Sequence, residues 1–328
     1  MIFFFPESLC LLLFLFSFLA TAGAEKWLIP RLAAAAKQPI YEGGPRWHMK
    51  KSGTPTMGGI AFLLVATAAA PLCVFFLRKN GLQNESVSFL LAIGYALLNG
   101  MLGVLDDVTK IKRKQNAGMT PMEKLLFQSL FTALFLFGRA KLASGGTAFA
   151  FSFGKAELGV LYYPLLFFFL LFFVNAVNLT DGIDGLASSV SYGVGCALLL
   201  FSILLGSAAG ALLSAILIGA TVSFLLFNAH PAKIFMGDTG SLFLGALLAA
   251  TALTADRPAV LPIAGIFFLL EGFSVLLQVG YYKLTGKRLF LMAPFHHHLE
   301  KKGWKESKIC LFALFLTFAF CGVAALLI

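Results

Sequence analysis

Asp106 and Asp107 stand side by side in GVLDDVTK (103–110), where a long apolar run ends, and Lys110 follows them at spacings of four and three residues. Residues three and four apart share a helix face, so Lys110 can fold back onto the pair. Carboxylates beside a bilayer are expensive and these two repel each other. Neighbouring helix residues point about 100° apart, so both can address one site only where the helix frays. A solvated helix end with local ion pairing accounts for the pair. A bound cation also does, and it explains why carboxylates sit where they oppose the helix dipole.

Four further clusters hold chemistry-bearing side chains. FMGDTGS (235–241) carries Asp238 at the start of an apolar run. There Asp238 or Thr239 can cap a helix, or Asp238 can add a third carboxylate to a metal site whose backbone N–H groups also suit phosphate. Oxygen ligands only, few in number, favour Mg2+ over Zn2+. NLTDGIDGLA (178–187) offers Asn178, Asp181 and Asp184, either as helix caps or as partners for ribose hydroxyls and a uracil edge. GTPTMGG (53–59) sets Thr56 before a Gly-Gly pair that permits close backbone approach. It lacks the Gly-Lys-Ser/Thr end of a Walker A loop. PFHHHLEKKGW (294–304) carries His296, His297 and His298; three consecutive side chains cannot readily meet on one ion, whereas imidazoles beside Lys301 and Lys302 suit a diphosphate or proton transfer. Glu271, in FLLEGFSVLLQ, is an isolated carboxylate inside an apolar run, and Gly272 beside it marks a candidate break.

The elements that position these clusters are membrane spans. Of 328 residues 59% are hydrophobic and only 12% charged, about half the charge of an ordinary soluble domain. The chain therefore reads as a single integral membrane domain, 1–328, of all-α class. A span needs about 20 apolar residues. Ten runs qualify: 2–24, 57–77, 87–105, 122–138, 160–179, 186–206, 208–227, 240–255, 259–283 and 308–328. TAGA after the first run resembles a cleavage site, but no basic segment precedes it and the run is long for a signal peptide, so it is read as a span. Of the 25 Lys and Arg residues, 19 fall in or at the margins of the odd-numbered loops. The positive-inside rule then places those loops in the cytoplasm and both termini outside. All five polar clusters lie on the odd loops, so they converge on one face. The loop 139–159 contains GGTAFAFSFGK, whose alternation suits a small hairpin on the opposite side. The net charge of +10 has no soluble basic domain to carry it, so membrane lipid headgroups and phosphorylated substrates are its expected partners rather than nucleic acid. Five cysteines without CxxC pairing suggest neither a disulfide framework nor zinc.

Taken together, GTPTMGG, LDDVTK, NLTDGIDGLA, FMGDTGSL and PFHHHLEKKGW resemble the motifs of the polyprenyl-phosphate N-acetylhexosamine-1-phosphate transferases, in family order, from about residue 25 to the last span. PFHHHLE resembles the bacterial branch acting on UDP-N-acetylmuramoyl-pentapeptide. The resemblance implies ten spans, a homodimer in the bacterial cytoplasmic membrane and a Mg2+-dependent site facing the cytoplasm. It implies transfer to undecaprenyl phosphate, giving lipid I and UMP for peptidoglycan synthesis. By resemblance, Asp238 holds the metal, with Asp106 and Asp107 in the reacting centre and Asp106 at the position proposed to deprotonate the lipid phosphate. His296 matches the catalytic histidine, with His297 and His298 beside it. Lys51, Thr56, Asn178, Asp181, Asp184, Asn228 and Phe235 match nucleoside-pocket positions, Phe235 stacking on uracil. Lys110 and Lys124 match lysines facing the phosphates.

Two other readings compete. A sister transferase using UDP-N-acetylglucosamine shares the motifs, and the HHHLE loop argues against it. A secondary transporter would place ionisable groups within its spans and often shows internal repeats; here the aspartates sit at span ends and no repeat is apparent.

Overall fold

The computed structural model describes residues 7–36, 51, 53–113, 118–143, 146–151 and 154–327. Twelve α-helices follow one another in these residues: α1 (Glu7–Ala35), α2 (Ile60–Lys79), α3 (Gln83–Arg113), α4 (Pro121–Leu142), α5 (Tyr162–Thr180), α6 (Leu186–Leu204), α7 (Ala208–Asn228), α8 (Gly237–Thr254), α9 (Val260–Ala264), α10 (Ile266–Thr285), α11 (Phe295–Lys301) and α12 (Glu306–Leu327). Between α4 and α5, strands β1 (Ala148–Phe151) and β2 (Gly154–Glu157) pair antiparallel, with Ala148 opposite Glu157. The expected hairpin is therefore present.

Among the described residues, eight helices are long and apolar enough to cross a membrane: α1 to α4, α5 with the short turn before it, α6, α7 and α12. The other two expected spans fall on α8 and on α9 with α10. The polar GDTGS start dilutes α8, and Glu271, Gln278 and Lys283 dilute α10. The run 259–283 does break, but at Gly265, which ends α9 and starts α10. Helix α10 continues through Gly272, where a Cβ would press on Phe172 and Ala176 of α5. That glycine serves close packing rather than a break.

Helices α7 and α8 form the centre, buried along nearly their whole length, and the remaining helices wrap them. Small residues set the spacing where polar groups must meet. Gly59 before α2 lies against the backbone of Gly240, and Gly103 of α3 lies against the carbonyl of Asp238. A side chain at either point would push α8 away, the close approach that small residues permit in apolar surroundings. At the opposite end of the bundle, Glu85 accepts from the Ala209 N–H at 2.7 Å, Ser207 caps α7 through the Gly210 N–H at 3.2 Å, and Arg139 pairs with Asp256. Those charges close helix ends and leave the chemistry to the other end.

Candidate active site

The site forms where α3 and α5 end and α4, α6 and α8 begin. Helix α4 starts with a complete capping box: the Thr120 hydroxyl accepts from the Glu123 N–H and the Glu123 carboxylate accepts from the Thr120 N–H, with Pro121 in the first turn. This fixes the first turn of α4 and presents Lys124 one residue beyond it.

Helix α3 does not fray at the aspartates. It runs on to Arg113, with Lys110, Lys112 and Arg113 in its last turn, where they suit the dipole. Asp106 and Asp107 are therefore regular helical residues that point to different partners. Asp106, fully buried, accepts the Met119 N–H on Oδ1 at 2.7 Å, and its Oδ2 lies 2.7 Å from Lys110 Nζ and 2.9 Å from Lys124 Nζ. Asp107 turns to α8. Its Oδ2 accepts the Thr239 N–H at 2.9 Å and the Thr239 hydroxyl at 2.7 Å, and its Oδ1 accepts the Asp238 N–H at 3.2 Å. The α8 terminus is thus capped from α3, and neither Asp238 nor Thr239 caps its own helix.

Asp238 joins the two sides. It lies 2.6 Å from Lys124 and 3.1 Å from Lys110, and it accepts from the Asn178 amide at 3.2 Å. Asn178 also donates to Ser241 at 2.7 Å. Three carboxylates and two ammonium groups thus meet in one partly accessible centre. Oxygen atoms of Asp106, Asp107 and Asp238 lie within 4.8 Å of one another. An all-oxygen donor set at that spacing, with positive charge already drawn into it, fits a hard divalent cation such as Mg2+.

Thr56 packs beside this centre. A Cβ on Gly237 would fall on both the Thr56 hydroxyl and Asp107. Its loop is held to the α7–α8 loop by backbone bonds from Gly58 N–H to the Phe235 carbonyl at 2.9 Å and from Phe235 N–H to the Pro55 carbonyl at 2.9 Å. Phe235 is half-buried in that ladder. Asn228 is buried, and both ends of its amide are engaged: Nδ2 donates to the Ile234 carbonyl at 2.9 Å, and Oδ1 accepts from the Gly185 N–H and the Ser188 hydroxyl. These bonds tie the α5–α6 turn to the α7–α8 loop.

Asp181 and Asp184 are not caps of α6, whose capping position is taken by Gly185. Asp181 ends α5. Burial and the charges of Asp238 and Asp107 push its carboxyl well above the usual range. Asp184 anchors a second cluster. Lys51 lies 2.6 Å from Asp184 and 2.7 Å from Glu306, the Asp184 N–H donates to Glu306 at 2.9 Å, and His230 Nδ1 lies 3.0 Å from Asp184. Burial pushes the Asp184 carboxyl up, but Lys51, the Ala232 N–H and His230 outweigh it and hold it below its usual range. No local pattern marked Glu306 or His230; both are recruited by the fold.

The three histidines fan out from α11. His296 is fully buried, with its backbone N–H 3.0 Å from Glu271 Oε1 and Nδ1 3.0 Å from Glu271 Oε2. Its Nε2 has no hydrogen-bond partner among the described residues and faces Gly182, in the turn between Asp181 and Asp184, where a Cβ would collide with the ring. His297 pairs with Glu300 at 2.6 Å. His298 accepts the Leu291 N–H at 3.2 Å and stacks on Phe295; partial burial and Lys302 hold its imidazole below the usual range. Of the three, only His296 is fully buried. Glu271, whose isolation in an apolar run left its role open, is its partner.

Residues 88–256 match the family described as glycosyl transferase family 4, and residues 51–63 match phospho-N-acetylmuramoyl-pentapeptide-transferase signature 1. A phospho-N-acetylmuramoyl-pentapeptide-transferase of Clostridium perfringens is 39% identical over 287 residues, covering 88% of this chain and 86% of its own. Those of Carboxydothermus hydrogenoformans and Heliobacterium modesticaldum are each 39% identical, over 307 and 302 residues, covering 90% of this chain and 92% and 91% of their own.

Proposed function

Because the chain belongs to the phospho-N-acetylmuramoyl-pentapeptide transferase family, we propose that it transfers phospho-N-acetylmuramoyl-pentapeptide from a UDP-linked donor to undecaprenyl phosphate, giving lipid I and UMP. One observation carries the siting of this reaction: Lys110 and Lys124 bridge the carboxylates of Asp106 and Asp238, the latter also accepting from Asn178.

The reaction forms a bond from an oxygen of the lipid phosphate to the sugar-bearing phosphorus of the donor. The bridging P–O bond breaks, and its electron pair leaves with UMP. Such a transfer needs positioning and charge neutralisation more than covalent help. Asp238, Asp106 and Asp107 would hold Mg2+, which when bound neutralises the diphosphate and stabilises the leaving group. Lys110 and Lys124 bind phosphate oxygens, exchanging carboxylate partners for substrate. Asp107 keeps the α8 terminus aimed at the centre. His296 turns Nε2 toward Gly182, beside Asp181, because Glu271 engages Nδ1. Asp106 lies between two ammonium groups, so its first contribution is to hold them in place; the lipid phosphate is largely ionised near neutral pH and asks little of a base. Asp181, Asp184, Lys51 and Phe235 border the nucleoside.

In this reading α8 and the broken α9–α10 pair complete ten spans, both termini are extracytoplasmic, the site faces the cytoplasm and the enzyme works as a homodimer. The excess of Lys and Arg in the odd loops supports that orientation. Purified protein should release UMP from UDP-N-acetylmuramoyl-pentapeptide only with both undecaprenyl phosphate and Mg2+. No UMP under those conditions would sink the proposal, and equal turnover of UDP-N-acetylglucosamine would favour the sister transferase.

A further inference from the structure

A groove of about 710 Å³ opens beside α11 and the start of α12, with His230, Glu300, Lys301, Trp304, Lys305 and Glu306 in its wall. Its volume falls in the range of ligand sites, roughly 300–1,000 Å³. None of the residues expected to bind nucleoside or metal lines it.

The groove begins where the catalytic cluster ends. His230 and Glu306 each contact Asp184, at 3.0 and 2.9 Å. On the other side Glu300 pairs with His297, the neighbour of His296. Its charges are unevenly engaged. Glu306 is bound by Lys51 and Glu300 by His297. Lys301 and Lys305 are exposed and make no ion pair among the described residues. The free charge in the groove is therefore positive, and it asks for an anionic occupant. Trp304 adds a broad apolar face, covered on one side by Lys308 at 4.2 Å from the ring centroid. Gly303, at φ +85°, makes the turn that brings Trp304 and the two lysines to one rim.

We propose that this groove receives the peptide arm of the donor, with its terminal carboxylate on Lys301 and Lys305 and its chain along Trp304. The inference rests on the phosphotransferase reading above, since only that donor carries a peptide. Nucleotide and diphosphate are consigned to the aspartate and lysine centre. The remaining arm must leave that centre, and the groove is walled by His230 and Glu306, which contact Asp184, and by Glu300, which contacts the neighbour of His296. An aqueous cavity at the mouth of two helix ends, lined by charged groups, does not suit a polyprenyl chain.

The test compares two donors, UDP-N-acetylmuramoyl-pentapeptide and peptide-free UDP-N-acetylmuramic acid, in full-length wild type and K301A/K305A protein. The substitutions should raise KM for the pentapeptide donor about three- to tenfold, as for exposed charge pairs, and leave KM for the peptide-free donor and kcat unchanged. K301R/K305R should restore the wild-type KM. An equal rise for both donors would assign the lysines to the nucleotide or to lipid headgroups and overturn the proposal, as would no rise for either. A second measurement is independent of turnover. With Trp27→Phe and Trp47→Phe leaving Trp304 as the only tryptophan, titration with free pentapeptide should change its fluorescence, and K301A/K305A should weaken that binding. No change in fluorescence, or binding unaffected by the lysines, overturns the groove assignment whether or not UMP is released. Failure of wild type to release UMP from either donor tells instead against the reaction.

Discussion

The carboxylate of Asp107 caps helix α8 from 132 residues away, its Oδ2 taking both the N–H and the hydroxyl of Thr239. A helix start leaves N–H groups without partners, and here the partner comes from another helix. That contact aligns Asp238 with Lys124 and Lys110, so Asp107 acts through Asp238. It explains why two adjacent carboxylates are tolerated: Asp107 is bound chiefly by the donors of α8, while Asp106 lies against Lys110 and Lys124 and takes the Met119 N–H.

Asp107→Asn presents an amide whose NH2 cannot accept from the α8 donors. Loss of a cap costs about 0.5–2 kcal/mol, so the variant should melt a few degrees lower and release UMP more slowly. A melting temperature equal to wild type would remove the capping role.

Gly103→Ala introduces a Cβ into the Asp238 carbonyl, where both sides of the contact are backbone. Overpacking of this kind costs about 1–3 kcal/mol, and here it also displaces the α8 start, so turnover should fall with stability. Gly94→Ala on the same helix meets nothing within 4 Å and should be neutral or stabilising. Equal behaviour of the two variants in a thermal melt and UMP assay would refute the close-approach argument.

Glu271 holds His296 by its ring and its backbone at once. Orienting partners of this kind are worth about 10–100-fold. Glu271→Ala should lower kcat by that order with little change in donor KM, and Glu271→Gln, which keeps one acceptor, should lose less. A rise in KM at constant kcat would place Glu271 in binding rather than in orientation.

Asp184 and Asp181 should shift the pH dependence of stability in opposite directions. The Asp184 carboxyl is held below its unfolded value. Its contribution is therefore present above the ordinary carboxylate range and lost as pH falls through the depressed folded value. Asp181 is held well above its unfolded value, so its favourable contribution is present at acid pH and is lost as pH rises. At pH 7 Asp184→Asn should lower the melting temperature and Asp181→Asn should raise it. Melts between about pH 3 and pH 8 would show both trends, and shifts of the same sign at pH 7 would contradict the assignment.

Much of the architecture is legible in composition alone. Apolar runs locate most helices to within a few residues, as at 186–206 against Leu186–Leu204. The alternation in GGTAFAFSFGK marks the strands. Boundaries fail where a helix leaves the apolar layer without ending, as at 105, beyond which α3 continues through charged residues to Arg113. Apolarity reports the surroundings of a helix and not its hydrogen bonds. The break in 259–283 is misplaced for a related reason: Gly272 and Gly265 look alike in sequence, and only packing against Phe172 or Phe173 distinguishes them.

The sequence by itself determined that this chain is built of apolar helices, that its polar residues gather on alternate loops and that their chemistry is oxygen and ammonium chemistry, because side-chain type and hydropathy are properties of the residues themselves. Only the tertiary structure decided what each residue does. Asp106 and Asp107 are chemically identical neighbours, and one faces Lys110 and Lys124 while the other faces Thr239. Asn228 turned out to tie loops together and Glu271 to orient a histidine. A side chain's role is set by the partner within about 3 Å of it, and here those partners lie anywhere from four residues along the same helix, as Lys110 does for Asp106, to 132 residues away, as Thr239 does for Asp107, across helices whose approach depends on glycines such as Gly103 and Gly59.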